Sequence, residues 1–371
     1  MVFAALRSGC PVSQFLCFEL LPALQGESMK ALVLSEYKKL DLVDMQKPQP
    51  GDDDLLIRVQ ACGICGSDVH GYDGSTGRRL PPIVMGHEAA GIVEAAGSAV
   101  ENFRPGDHVT FDSTVFCGRC FYCRRGLVNL CDHREVIGVS TPGFRRMGAF
   151  AEYVTVPARI AYSLPDNMPF EYAALIEAVS VAVHAVSLTP IALDDTVVVV
   201  GAGMIGLLTL QAALLAGAGR VFVCDVDDTR LELARSLGAT GTFNSNNGNP
   251  ILEIRKLTSD RGADVALECV GIAPTVNLAI EAVRKGGMVT LVGNVAPKVE
   301  INLQSIVTRQ VRLQGSCASS GEYPACISLI SRGAIRVEPL LSAVAPLDEG
   351  AAWFRRLYAR EPGLLKVVLQ P

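Results

Sequence analysis

The ten residues VVVVGAGMIG, 197–206, constrain the fold more than any other part of the chain. Four valines in a row read as a buried strand. Gly201, Gly203 and Gly206 then turn it sharply into a helix that Met204 and Ile205 open. The apolar runs VFVCDV, ADVALECVG and GGMVTLVG follow, separated by the helical patterns LLTLQAALLAGA, TRLELARSLGA and TVNLAIEAVRKG. Strands alternating with helices predict a parallel sheet covered on both faces. In such a loop the first glycine permits the tight turn, the second lets the backbone approach a pyrophosphate, and the third lets helix and strand pack closely. The pyrophosphate would rest on the helix N-terminus. Asp225 ends the next strand, where it can accept hydrogen bonds from an adenosine ribose, and its charge would repel a 2′-phosphate. NAD is therefore expected over NADP. Arg230 could instead serve a phosphate, or lie solvated on a helix. Val270, Val292 and Gly293, at later strand ends, are expected to line the nicotinamide side.

Before Pro165 the period is different. Short β-rich runs such as MKALVL, GHEAAGIVEAAG and GAFAEYVTVP, punctuated by glycine, proline and aspartate, predict a barrel-like all-β domain. This region carries two groups of metal-binding residue types. CGRCFYCRRGLVNLC sets Cys117, Cys120, Cys123 and Cys131 at C-x2-C-x2-C-x7-C, and four thiolates on a short loop can close a tetrahedral zinc shell. Iron–sulfur proteins share the first spacings, but the longer last step favours a structural zinc. The second group is mixed: Cys65 in CGICGSDVHG, His87 and Glu88 in MGHEAAG, and Glu177 in ALIEAVSVAVHA. Thiolate, imidazole and carboxylate leave room for a further ligand, as a catalytic zinc requires. Spacing alone does not bring these segments to one point.

The remaining titratable residues have plainer readings. Cys62 is expected to be buried in a strand, and His108 and His184 to be packing residues. Cys224, Cys269, Cys317 and Cys326 are expected to be free thiols in apolar or small-residue settings. That cysteine usage in a long chain predicts a reducing, cytoplasmic compartment. With 33 Lys+Arg against 38 Asp+Glu, the net charge of -5 argues against a nucleic-acid partner. No uninterrupted apolar stretch of about 18 residues is present to span a membrane.

At these motifs the chain, from Met29 onward, resembles the zinc-dependent medium-chain alcohol and polyol dehydrogenases, the group of the sorbitol, threonine and galactitol-1-phosphate dehydrogenases. GHEAAGIVEAAG, the four-cysteine loop, GAFAEYV and VVVVGAGMIG occur in that family's order. The resemblance implies a GroES-like barrel over 29–179, a Rossmann domain over 180–316 and a segment, 317–371, returning to the barrel. Residues 1–28 would be an extension. It further implies two zinc ions per chain and a homodimer or homotetramer. Cys65 and His87 would hold the catalytic zinc, Glu88 would take a further position, and Glu177 would ligate directly or hold a water. Ser67 would take the proton of a secondary alcohol and His70 would release it, while NAD takes the hydride.

The sequence departs from the polyol pattern at two places. Gly71 stands where that branch often has tyrosine, and Ala318 and Ser319 stand where it has an Arg-Tyr pair. Ser316, Ser319, Ser320 and Glu322 could form a polar pocket, the last three equally a solvated loop. Arg78 and Arg79 could meet a substrate phosphate or carboxylate, or, as adjacent arginines more often are, lie solvated. The expected substrate is a small polyol, polyol phosphate or vicinal diol. The alternatives are threonine-like amino-alcohol oxidation and a nonenzymatic NAD sensor.

Overall fold

The computed structural model describes residues 26–371. Most of the expected extension over 1–28 therefore lies outside the described residues. The first sheet strand already begins at Ser28, pairing Ser28 with Gln46.

The strand Asp54–Gly63 organises the β domain. It pairs antiparallel with Glu88–Ala96, Tyr153–Pro157 and the last strand of the chain, Lys366–Gln370. Leu55, Ile57 and Val59 alternate into a core shared with Phe111, Phe150 and Phe354. The chain's end thus completes its first domain, as the resemblance implied for 317–371. That final region contains the helix Tyr323–Ser331, the strand Leu341–Pro346, the helix Gly350–Tyr358 and the closing strand. Leu341–Pro346 pairs parallel with Lys366–Gln370. It has no counterpart in the sequence reading, because most of its side chains are exposed or half-exposed and leave no apolar run.

The second domain is a six-stranded sheet, parallel throughout. Its spatial order is Gly241–Asn244, Arg220–Asp225, Thr196–Val200, Ala263–Glu268, Val283–Leu291 and Arg312–Gly315. Numbered by sequence this is the doubly wound order whose connections reverse direction beside the first strand. All five residues of Thr196–Val200 are buried, which explains a strand of continuous valines. The two outer strands, GTFN and RLQG, escape the sequence reading because a sheet edge buries too little to demand apolar residues.

The boundary expected at 179/180 falls inside the helix Ile176–Ser187. That helix packs on both Met204–Leu215 and Tyr323–Ser331, so it belongs to the junction between the domains. Together with Phe170–Ala173 it forms an apolar stretch of membrane-spanning length, but most of that stretch is buried inside the protein.

Candidate active site

Strand register supplies the convergence that spacing could not. Gly63 pairs with Glu88 and Cys62 with Ala89, so Cys65, just past one strand, meets His87, just before the other. Ligand atoms of Cys65, His87 and Glu88 lie within 4.8 Å of one another. Gly63 leaves room for the Glu88 side chain, since a Cβ there would meet its Oε2. Cys65 also caps the short helix Gly66–Gly71: its Sγ accepts from the Ser67 N–H at 3.4 Å, and its own N–H donates to Asp68 at 3.3 Å. This capping aims the thiol at His87. Ser67 Oγ lies 3.4 Å from Nε2 of His87, while His70, in the helix's last turn, is exposed.

Three charged neighbours shape the cluster. Asp68 is fully buried, 3.4 Å from Nδ1 of His87 and 2.8 Å from Nη2 of Arg79. Burial would raise its carboxyl, but His87 and Arg79 outweigh burial and hold it well below the ordinary range. Arg79 is thereby withdrawn from any substrate: it is buried and committed to Asp68, with Nη2 3.4 Å from Ser67. Arg78 is exposed. On the other side Lys366 is buried and donates to Oε2 of Glu88 at 2.6 Å and to the Ile64 carbonyl at 3.1 Å.

Glu177 stands outside the trio of mutually close ligand atoms. It accepts from Ser113 at 3.4 Å, and burial raises its carboxyl to about 7. The direct-ligand role implied for it is thus not built into this arrangement, whereas the place beside the cluster is. Cys62 is fully buried in its strand, and burial raises its thiol well above the ordinary range.

The four-cysteine loop brings Cys117, Cys120, Cys123 and Cys131 within 4.8 Å of one another. The Cys117 and His133 N–H groups both donate to Cys131 Sγ at 3.3 Å, and the His133 side chain is outside the cluster. Four sulfurs with no other donor fit a closed zinc shell, and the thiolate–imidazole–carboxylate trio fits an open one.

The lobe is fastened to its surroundings by residues with plainer sequence readings. Asn129 Nδ2 donates to the Cys317 carbonyl at 2.7 Å and lies 3.3 Å from Nε2 of His184, whose Nδ1 is 2.6 Å from Glu322. His184 is therefore half of a hydrogen-bonded pair with Glu322 rather than simple packing. Burial opposes ionisation of Glu322, but the His184 hydrogen bond outweighs it and holds the carboxyl below the ordinary range. Ser319 is buried, and Ser320 donates to the Gly126 carbonyl at 2.8 Å, so residues 319–322 do not form a solvated loop. Cys317, in its small-residue setting, is exposed, with its sulfur 3.1 Å from Arg134.

Asp112, deeply buried near Glu177, is raised to about 6 by burial, against the opposing Thr114 N–H at 2.8 Å. Between the ordinary aspartate range and about 6, the folded protein keeps a proton that the unfolded chain has released. This group's contribution to stability therefore falls as pH rises through that window. Asp112→Asn is expected to stabilise the protein at pH 8 by up to about 3 kcal/mol, with the gain vanishing below about pH 4. Urea unfolding at pH 4, 6 and 8 measures this, and a gain independent of pH would contradict it.

At the glycine-rich loop Gly201 adopts φ +100°, which favours glycine. Gly203 caps the helix Met204–Leu215 with nothing within 4 Å of a Cβ position, and Met204 and Ile205 open that helix. Asp225 holds the loop: Oδ2 accepts from Ala202 N–H at 2.6 Å and Oδ1 from Val226 and Asp227 N–H at 2.7 and 3.0 Å. Arg230 lies 3.7 Å from Asp227 on the exposed helix face. Val270 packs toward Gly201, and the backbone of Gly293 lies directly against Val270 and Gly271. Gly201, Gly203, Asp225, Val270, Val292 and Gly293 thus lie at or just past the carboxyl ends of parallel strands, the side on which such sheets bind ligands, while Met204, Ile205, Gly206 and Arg230 lie in the helices that follow.

Comparison with known proteins agrees with this architecture. Residues 51–166 match the alcohol dehydrogenase GroES-like domain and residues 205–332 the zinc-binding dehydrogenase domain. The chain is 33% identical to sorbitol dehydrogenase of Bacillus subtilis (strain 168) over 93% of its own length and 98% of the relative's. It is 36% identical to L-idonate 5-dehydrogenase of Vitis vinifera, over 85% and 87%. A solved structure from Sinorhizobium meliloti 1021, bound to NADP, superposes with a TM-score of 0.85 at 36% identity, covering 93% of this chain and all of that one. The chain belongs to the zinc-type medium-chain alcohol and polyol dehydrogenase family: a GroES-like domain joined to a Rossmann domain, and an NAD-dependent oxidoreductase acting on a secondary hydroxyl of a small polyol or diol.

Proposed function

We propose that the enzyme oxidises a secondary hydroxyl of a neutral small polyol or vicinal diol, reversibly, with NAD rather than NADP. The observation that carries this reading is the convergence of Cys65, His87 and Glu88 within 4.8 Å, with Ser67 3.4 Å from the His87 ring. A zinc ion held by that trio would supply a Lewis acid that makes a hydroxyl easier to deprotonate, and the nicotinamide the hydride acceptor. The chain's own residues do the rest. Ser67 receives the hydroxyl proton and the exposed His70 passes it to solvent. Asp68, 3.4 Å from Nδ1, sets a buried negative charge beside the His87 ring, and Glu177 holds a water beside the trio. Cys117, Cys120, Cys123 and Cys131 hold a second, structural zinc.

Charge supports a neutral substrate over a phosphate. Arg79 is spent on Asp68, while Glu177 and Asp112 are buried near the cluster and Glu322 is already paired with His184. An anionic substrate would gain no buried arginine, since Arg79 is already paired with Asp68. Asp225 supports NAD by the repulsion it would exert on a 2′-phosphate. Assembly as a homodimer or homotetramer belongs to the same proposal. Exposed Leu303 and Val307 on the helix before the outermost strand of the parallel sheet, and Leu313 in that strand, support it. A cytoplasmic setting is also part of the proposal, and it suits the free cysteines among the described residues.

A screen of sorbitol, xylitol, galactitol, their phosphates, 2,3-butanediol, threonine and primary alcohols tests the reading, each with NAD and NADP, followed at the reduced nicotinamide absorbance. Neutral polyols or diols with NAD are expected to give the highest kcat/KM. Preference for phosphates would overturn the charge argument, and preference for NADP the Asp225 argument. Binding of NADH without turnover of any alcohol would favour a sensor.

A further inference from the structure

The Rossmann domain buries one carboxylate that the reaction above leaves unused. Glu268 ends the strand Ala263–Glu268 with no exposure at all, and among the described residues no lysine, arginine or histidine pairs with it. A buried carboxylate without a cation is costly unless hydrogen bonds fill its lone pairs. Here Oε1 accepts from the N–H groups of Val270 and Gly271 at 2.9 and 2.8 Å, and Oε2 accepts from Gly271 at 3.0 Å. Its backbone carbonyl accepts from Val292 and Gly293 at 2.8 and 2.9 Å.

One residue thus ties down two loops. Those loops touch each other backbone to backbone, since a Cβ on Gly293 would overlap Val270 and Gly271, and one on Gly271 would overlap Gly293 and Asn294. The Ala296 N–H closes the pair by donating to the Gly271 carbonyl at 2.9 Å. Val270 in turn packs against the turn at Gly201. A shape this tight has little slack: losing the acceptor would orphan the buried Gly271 N–H and the part-buried Val270 N–H and let the wall formed by 270–271 and 292–294 move.

We propose that Glu268 is a positioning residue for the cofactor, its carboxylate and carbonyl together holding the two loops that wall the nicotinamide half of the dinucleotide site. The proposal rests on the reading above that Val270, Val292 and Gly293 face the nicotinamide. The adenosine half is supported separately, by Asp225 and the helix that starts at Met204.

ADP-ribose, which carries the adenosine and pyrophosphate but no nicotinamide, separates positioning from general structural support. Wild type, Glu268→Ala and Glu268→Gln are titrated as purified holoenzymes with NADH by fluorescence and with ADP-ribose by calorimetry. Glu268→Ala is expected to weaken NADH about tenfold or more, the cost of orphaning the Gly271 and Val270 N–H groups, while ADP-ribose stays within about twofold. Glu268→Gln keeps one acceptor oxygen and is expected to weaken NADH by about threefold with ADP-ribose unchanged. That variant decides the matter if the alanine form does not fold. Equal weakening of both ligands, or unchanged NADH affinity in the variant that folds, would overturn the proposal. If wild type binds ADP-ribose but not NADH, the nicotinamide assignment fails and the proposal with it. If it binds neither, the dinucleotide reading itself is wrong.

Discussion

Cys65→Ser is expected to lower kcat/KM for the alcohol by about 10³-fold or more, while the protein stays folded and keeps one zinc ion per chain. The size follows from what is lost. A serine hydroxyl is a poor zinc ligand at neutral pH, so the trio falls to His87 and Glu88, and Glu88 is already engaged by Lys366. The fold survives because Cys65 has a second task that serine performs well: capping the helix Gly66–Gly71, where its Sγ accepts from Ser67 N–H. Metal analysis should show zinc falling from two to one per chain, and circular dichroism should show no loss of structure. Graded chelation of the wild type should remove the same ion first, because the trio leaves exchange positions and the four-cysteine shell does not. Iron with acid-labile sulfide in the fresh protein would overturn the zinc assignment. Full activity in Cys65→Ser would exclude the trio as the reactive site.

Cys65, His87 and Glu88 were legible as a group because each sits in a short segment whose residue types imply metal ligation. What holds them was not. Asp68 reads as a helix-start aspartate in GSDVHG, and only the folded chain gives it Arg79 and His87 together. Lys366 is further removed. It lies in a closing apolar strand, 278 residues from Glu88, and reaches it because that strand pairs with Asp54–Gly63. No local pattern records such a contact, since a lysine in a strand is ordinarily at an edge with its head in water. His184 shows the opposite difficulty: its helical spacing correctly places it on a buried face, but its partner Glu322 arrives from the returning segment.

The fold itself was more readable than its fine division. Continuous valines, the glycine loop and alternating strands required the parallel sheet, because only a strand buried on both faces tolerates Thr196–Val200. The domain boundary was less visible. Helix Ile176–Ser187 is apolar on account of neighbours from both domains, so its composition changes nowhere along its length. Edge strands left the weakest trace, since exposed Arg312–Gly315 satisfies its backbone on one side only and asks little of its side chains.

The glycine loop gives the second large effect, and it separates two glycines that a motif treats alike. Gly206→Ala places a Cβ onto the Gly201 carbonyl oxygen, backbone against backbone, where no side chain can move aside. The turn cannot open without breaking the Ala202 N–H bond to Asp225 at 2.6 Å, and that bond anchors the loop to the next strand. Gly206→Ala is therefore expected to destabilise the protein by about 3 kcal/mol or more and to weaken NADH binding about 100-fold. Gly203 has room around its Cβ position, with nothing within 4 Å, and a φ of -74° that any residue adopts. Gly203→Ala should unfold within about 0.5 kcal/mol of wild type, because the space it fills is open in the protein alone. It should still weaken NADH about tenfold, since that open space is the approach of the pyrophosphate to the helix N-terminus. Urea unfolding and NADH fluorescence titration on the two variants give four numbers. Stability lost at Gly206 but kept at Gly203, with affinity lost at both, is the pattern a phosphate-binding loop must give. Wild-type affinity in Gly203→Ala would mean that the phosphates pass elsewhere, and wild-type stability in Gly206→Ala would mean that the helix can move away from its strand without cost.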